Sequence, residues 1–334
     1  MKNIKDMFKS RVVINPCENN KYGLEGRMRI DSVNCLVCNS LDVKQILRDV
    51  DPMRAFQVLD YPIKGSIFQC NTCGISFASS NIPIETAFNV YGEVYKEDVL
   101  LPDSLFFLYY TFTRKIKNLH RGARVLEIGA GDGRYMLFLK KSGIDVFGVE
   151  INKEAGTSAI ARGIEKDHIF YGDFLEMIFP EKKFDFILMW QLFEHIPDPS
   201  RVLKKCRYLL KDDGKVVIGL LPNFASLEQK LLGKNNFFLG IPYHFIQYTP
   251  NSIERILSNS EFKVISRSFD FITPSYFVMS LIKIVEKKLN IKIRLSVVRL
   301  TSILFFPIAF PLNIFCALIK AGTTMNIVAS KNKI

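Results

Sequence analysis

The segment Val125-Leu-Glu-Ile-Gly-Ala-Gly-Asp-Gly-Arg134 constrains this chain more than any other stretch. An apolar run passes into a turn with three glycines, Gly129, Gly131 and Gly133, and then into helix-forming residues. The pattern predicts a buried strand, a turn whose backbone can approach a ligand closely, and a helix. One residue in it sets the chemistry. A phosphate cradle needs free backbone amides and positive charge. Glu127, just ahead of the turn, instead suits a ligand with a cationic centre.

Beyond this unit strands and helices alternate. Strands are expected over 124–128, 145–151, 168–171, 184–190, 215–221 and 263–268. Helices are expected over 133–142, 153–162, 200–210 and 252–258, with one more ahead of the first strand over 104–118. Alternation of this kind predicts a parallel sheet covered on both faces, with ligands at the carboxyl ends of its strands. The second strand ends at Glu150, which can accept two ribose hydroxyls. The third ends in Gly172-Asp173-Phe174, an acceptor for an adenine amino group beside an aromatic ring. S-adenosylmethionine (SAM) combines a sulfonium, an ammonium, a ribose and an adenine. A nicotinamide or flavin dinucleotide is the rival. Its G-x-G-x-x-G fingerprint is broken here by Arg134, and Glu127 would repel its pyrophosphate.

These residues resemble the class I SAM-dependent methyltransferases. The matching pieces are Leu126-Glu-Ile-Gly-Ala-Gly-Asp-Gly133, Gly148-Val-Glu-Ile151, Tyr171-Gly-Asp-Phe174, Phe184-Asp-Phe-Ile-Leu188, Glu194-His-Ile-Pro-Asp-Pro199 and Leu210-Lys-Asp-Asp-Gly-Lys-Val-Val-Ile218. The resemblance implies an α/β, Rossmann-like seven-stranded sheet whose last strand, Met325–Ser330, runs antiparallel. It implies that Glu127, Gly129, Ala130, Gly131 and Gly133 hold the methionine end of SAM. Glu150 and Ile151 would take the ribose, Asp173 and Phe174 the adenine, and Trp190 and Gln191 would lie beside the methyl group.

Cysteine spacing adds a second element. Cys35-x-x-Cys38 and Cys70-x-x-Cys73 are each followed by a residue tolerant of positive φ, Asn39 and Gly74. Four thiolates suit one tetrahedral, structural Zn2+, and predict a zinc ribbon at the front. The methyltransferases with such a front domain often act in sugar, polysaccharide or lipid-linked glycan pathways. The expected organisation is a zinc-ribbon domain over 1–100, a SAM-binding core over 101–270, an apolar and basic helical insertion over 271–322, and the terminal strand over 323–334.

Methyl transfer to oxygen or nitrogen can require a base, and histidine is eligible near neutral pH. His244, with Tyr243 beside it, lies in the insert after the fifth strand and is the first candidate for base or acceptor ligand. His195 is the second, although a structural hydrogen bond fixing the loop Ile196-Pro-Asp-Pro199 accounts for it better.

Leu300–Ile319 is uncharged for twenty residues, enough to span a bilayer by length. Pro307 and Pro311 would kink such a helix, and a strand of the core follows it. Residues 276–320 are therefore expected to make peripheral membrane contact, with a buried cap or a dimer face as alternatives. A net charge of +12 places many of its cations beside this segment, where anionic headgroups suit them better than nucleic acid does. No signal-like run opens the chain, which predicts a cytoplasmic protein, peripheral at the inner membrane face. The expected activity is methyl transfer from SAM to a small-molecule acceptor, a sugar or lipid-linked glycan intermediate. An RNA methyltransferase and a non-catalytic SAM-binding protein are the alternatives. Oligomeric state is not readable from the sequence.

Overall fold

The computed structural model describes residues 33–52, 63–82, 119–179, 184–269, 274–291 and 293–332. The helix expected over 104–118 lies outside them. At the front, β1 (Val43–Val50), β2 (Gly65–Cys70) and β3 (Ser76–Ser80) form an antiparallel meander. The core follows as β4 (Arg124–Ile128), α1 (Arg134–Lys141), β5 (Asp145–Glu150), α2 (Lys153–Ala161), β6 (Ile169–Tyr171), β7 (Phe184–Trp190), α3 (Pro199–Leu209) and β8 (Leu210–Pro222). Then come α4 (Leu227–Leu232), β9 (Ile246–Gln247), α5 (Pro250–Asn259), β10 (Phe262–Phe269), α6 (Pro274–Leu289), α7 (Leu295–Leu318) and β11 (Thr324–Lys331).

Seven strands form one sheet in the order β10-β11-β8-β7-β4-β5-β6. β4 pairs in parallel with β5 and β7, and β8 pairs in parallel with β7. β11 runs antiparallel to both β8 and β10, as the resemblance implies. Central strands read as unbroken apolar runs because both faces are covered. Val125, Leu126, Ile187, Leu188, Val216 and Val217 have no exposed surface, each burial worth about 1.5–3 kcal/mol. Local signals set the helix starts. Asn152 caps α2 by accepting from the amides of Glu154 and Ala155. Asp198 caps α3 ahead of Pro199, and Thr249 with Ser252 forms a reciprocal box at α5.

One feature departs from the sequence reading. The insert after β8 contributes β9 to the front sheet, whose order is β1-β2-β3-β9. Two residues of alternating pattern are too short to read as a strand without their partner. The front sheet is thereby hydrogen-bonded to the core chain, and Arg255 of α5 reinforces this by donating to the Cys73 carbonyl at 2.6 Å. α7 runs as one 24-residue helix with Pro307 and Pro311 inside it.

Candidate functional site

The carboxyl ends of β4, β5, β6 and β7 bring most of the expected cofactor residues to one edge of the sheet. Gly129, Gly131 and Gly133 adopt φ of 76°, 56° and 74°. A Cβ on Gly133 would sit 2.5 Å from that of Ala159, so glycine lets α1 start hard against α2. The amides of Gly129 and Ala130 donate to the Val149 carbonyl at 2.9 and 3.0 Å, fastening the turn to β5. Glu150 completes this arrangement. One of its oxygens accepts from the Gly131 amide at 2.7 Å and the other from Asn152 at 2.8 Å. Each oxygen keeps a second acceptor direction. Burial nevertheless raises its pKa, against the lowering effect of these amides.

Glu127 is more exceptional. It is 3% exposed, and its Oε2 has no hydrogen-bond partner. Burial, and then the charges of Glu150 and Asp132, push its pKa well above the usual carboxylate value. The cations of the turn do not relieve it, because Arg134 and Arg162 pair with Asp132 at 2.8 and 3.2 Å. A buried acid in this position fits a ligand that brings its own positive charge.

At the next strand ends Asp173 is exposed, with Oδ1 accepting from the Leu175 amide at 2.8 Å. The Phe174 ring points into the core, packed near Phe179 with Lys205 Nζ 5.0 Å above it. The open apolar face at this edge comes from Ile151, 67% exposed. Trp190 lies over Gly219 of β8, where even a methyl group would collide with its ring, and meets Tyr135 edge-on at 5.4 Å. Gln191 holds φ of 46° and donates its amide to the Gly219 carbonyl at 3.0 Å. Leu220, also left-handed at φ 54°, is secured by Asn326 Oδ1 accepting from its amide at 2.8 Å. Two non-glycine residues held in this region cost about 1–2 kcal/mol each. They cluster where β7 and β8 open toward the ligand edge.

The same edge assembles a buried group from distant segments. After β7 the chain turns through Leu192, which packs on Gly129, into a 3-10 turn over Phe193–His195. Glu194, His195 and His244 place ligand-capable atoms within 4.8 Å of one another, all buried. Nδ1 of His244 lies 2.8 Å from the Phe238 carbonyl, and Nδ1 of His195 lies 3.1 Å from that of Tyr243. The Tyr243 and His195 rings are 3.8 Å apart. Burial pushes the His244 pKa down to about 4, and that of His195 well below its usual value with His244 contributing. Both rings are therefore neutral near pH 7, and the His244 Nδ1–H donates to the Phe238 carbonyl. Burial lifts Glu194 to about 8, and its Oε2 has no partner. Sequence reasoning brought the two histidines forward but did not single out Glu194, although it opens the matching piece Glu194–Pro199.

Glu194 has a pH signature. Its carboxyl ionises near 4.5 when unfolded and about 8 when folded. Between these values the unfolded chain alone releases the proton, so stability falls as pH rises, by up to about 1.4 kcal/mol per pH unit. Glu194→Gln should flatten that slope between pH 5 and 8 in urea titrations. An unchanged slope would mean that Glu194 is ionised in the folded protein.

At the front, Cys35, Cys38, Cys70 and Cys73 converge as the spacing predicts, with all four Sγ atoms within 4.8 Å. Cys35 and Cys73 are 3.5 Å apart through sulfur, as are Cys38 and Cys70. A tetrahedron with Zn–S bonds of about 2.3 Å has S–S edges of about 3.8 Å, so the donor set and its spacing fit a four-thiolate ion.

Residues 107–267 match a family model described as a methyltransferase domain. A ubiquinone biosynthesis O-methyltransferase of Bradyrhizobium diazoefficiens is 29% identical over 137 residues, 39% of this chain and 54% of that one. An uncharacterized protein of Methanocaldococcus jannaschii is 36% identical over 104 residues, 31% of this chain and 47% of that one. The chain thus spans about half the length of these curated relatives. A solved SAM-dependent methyltransferase from Archaeoglobus fulgidus aligns at 21% identity with a TM-score of 0.46, over 73% of this chain and 99% of that one. With strand order, glycine turn and acidic strand ends in place, the family-model match shows a SAM-dependent methyltransferase domain over residues 107–267.

Proposed function

We propose that the protein transfers a methyl group from SAM to a hydroxyl of a small-molecule acceptor, a sugar or lipid-linked glycan intermediate, bound against the insert over 233–248. The observation that carries the SAM assignment is the unpartnered, buried Glu127 carboxylate behind the glycine turn. Bound SAM would supply an electrophilic methyl on a sulfonium, with a neutral leaving group. Glu127 would take its ammonium, Glu150 its ribose hydroxyls and Asp173 its adenine amine.

What remains for the chain is alignment, exclusion of water and handling one proton. Alignment alone can supply a large share of such a rate. His244 keeps Nε2 as an acceptor because Nδ1–H is committed to the Phe238 carbonyl. It can receive the hydroxyl proton, with the Glu194 carboxyl within 4.8 Å of the same group of ring nitrogens. His195 is the positioning residue of the group, tying the β7 loop to Tyr243. The relatives' name supports oxygen as the acceptor atom. The glycan class rests on the four-cysteine front domain joined to a SAM core, in which the cysteines would hold a structural Zn2+.

Incubation with methyl-labelled SAM and separate lipid, nucleotide-sugar and RNA extracts tests the acceptor class. Label in a sugar-bearing lipid or nucleotide-sugar fraction supports the proposal, and label confined to RNA overturns it. His244→Ala should lower turnover about 100- to 1000-fold with SAM affinity unchanged. Unchanged turnover would remove His244 from the reaction.

A further inference from the structure

The α6–α7 hairpin leaves the body between two neighbouring strands of the sheet, β10 and β11. Its base is firmly tied. Ser280 of α6 is fully buried, donates to Glu228 at 2.9 Å and accepts from the Phe237 amide at 3.0 Å. Thr323 donates to the other Glu228 oxygen at 3.1 Å. Lys283 and Lys287 of α6 reach Asp51 in the front domain. On α7 a narrow stripe, Ala309, Asn313 and Cys316, faces the body.

Much of the described surface of α7 outside this stripe is apolar and exposed. Residues 303–308 are six consecutive exposed positions, with Ile303, Leu304 and Ile308 67–70% exposed and Phe305 and Phe306 about half exposed. Six residues at 3.6 per turn sweep the whole circumference of a helix. A second protein would cover one face of it, whereas acyl chains close around it. The charges agree, since Lys287 and Lys288 end α6 and Arg294 opens α7, all exposed. The only acid between Lys283 and Arg294 is Glu286, which accepts from the Ile293 amide. A transmembrane passage is ruled out by the tethers. α7 alone among the described helices is long and apolar enough to cross a bilayer, and a single crossing would carry β11 away from β8 and β10.

We infer that the α6–α7 hairpin is a monotopic membrane anchor, with the exposed shaft of α7 lying among the acyl chains of one leaflet and Lys288 and Arg294 on anionic headgroups.

Co-sedimentation of the full chain with phosphatidylcholine vesicles, with and without phosphatidylglycerol, tests this. Binding should be stronger to the anionic vesicles and should weaken with salt. Ile303→Glu with Ile308→Glu should cut partitioning at least tenfold while leaving Tm unchanged, since both side chains already face solvent in the free protein. Lys288→Glu with Arg294→Glu should cost about fivefold per residue on anionic vesicles only. Absence of binding to either vesicle overturns the inference, as does binding that the isoleucine variants leave intact. A dimer in sedimentation velocity that these variants dissociate, without vesicle binding, assigns the face to a second copy and overturns it equally.

Discussion

Glu127→Gln is expected to weaken SAM binding about 30-fold or more while leaving the free protein as stable as before, or more so. The two effects have one cause. In the free protein the carboxyl is buried without a partner, and burial with the neighbouring acids raises its pKa well above 4.5. Keeping it folded costs more as pH rises, because the unfolded chain ionises freely and the folded one does not. Glutamine fills the same volume without that penalty, so its Tm advantage should grow toward alkaline pH. In the complex the sign reverses. An ammonium placed here turns a costly acid into half of a buried ion pair, and removing one partner of such a pair costs about 2–5 kcal/mol. Wild-type binding should therefore tighten with rising pH until Glu127 ionises unaided, and the variant should lack that dependence. Calorimetric titration with SAM across pH measures both. Wild-type affinity in the glutamine variant would show that Glu127 does not meet the ammonium.

Chelation should have the second large effect, and one that spreads. With Zn2+ on the four cysteines, its removal leaves four thiols clustered in a front sheet of short strands. Structural zinc contributes about 10 kcal/mol or more in small thiolate domains. Chelator, or paired Cys35→Ser and Cys38→Ser, should melt the front sheet well below the core and give two thermal transitions in place of one. The damage should cross into the insert, because β3 pairs with β9 and the Ala78 amide donates to the Phe245 carbonyl at 2.8 Å. Phe245 in turn donates its amide to the Glu194 carbonyl at 2.9 Å. Methyl transfer should therefore fall about tenfold or more while SAM affinity, proposed to rest on the ends of β4, β5 and β6, changes little. Metal analysis that finds no zinc, or a thermal profile indifferent to chelator, would refute the assignment.

The proposed cofactor edge was legible in the sequence because its parts are local. A glycine turn, an acid one strand later and another a strand after that each announce themselves within ten residues, and parallel strand order brings them to one edge. Phe174 shows the limit of such reading. Its position beside Asp173 was correct, but whether an aromatic ring at a strand end faces a ligand or the core depends on what packs above it. Here Lys205 and Phe179 occupy that space, and Ile151 supplies the open apolar face. Glu194 was not singled out for a related reason, since its burial and missing partner exist only once the insert folds over β7.

By itself the sequence determined the alternating α/β order, the strand ends that carry charge, the four-cysteine spacing and the apolar length of α7. All of these follow from periodicity and near-neighbour chemistry. Only the tertiary structure decided that Glu127 has no cation of its own, that Glu194 joins two histidines, that the insert completes the front sheet, and that α7 leaves its shaft uncovered. Each of these is a question of which groups from remote parts of the chain fill the space around a side chain, and no local pattern encodes that.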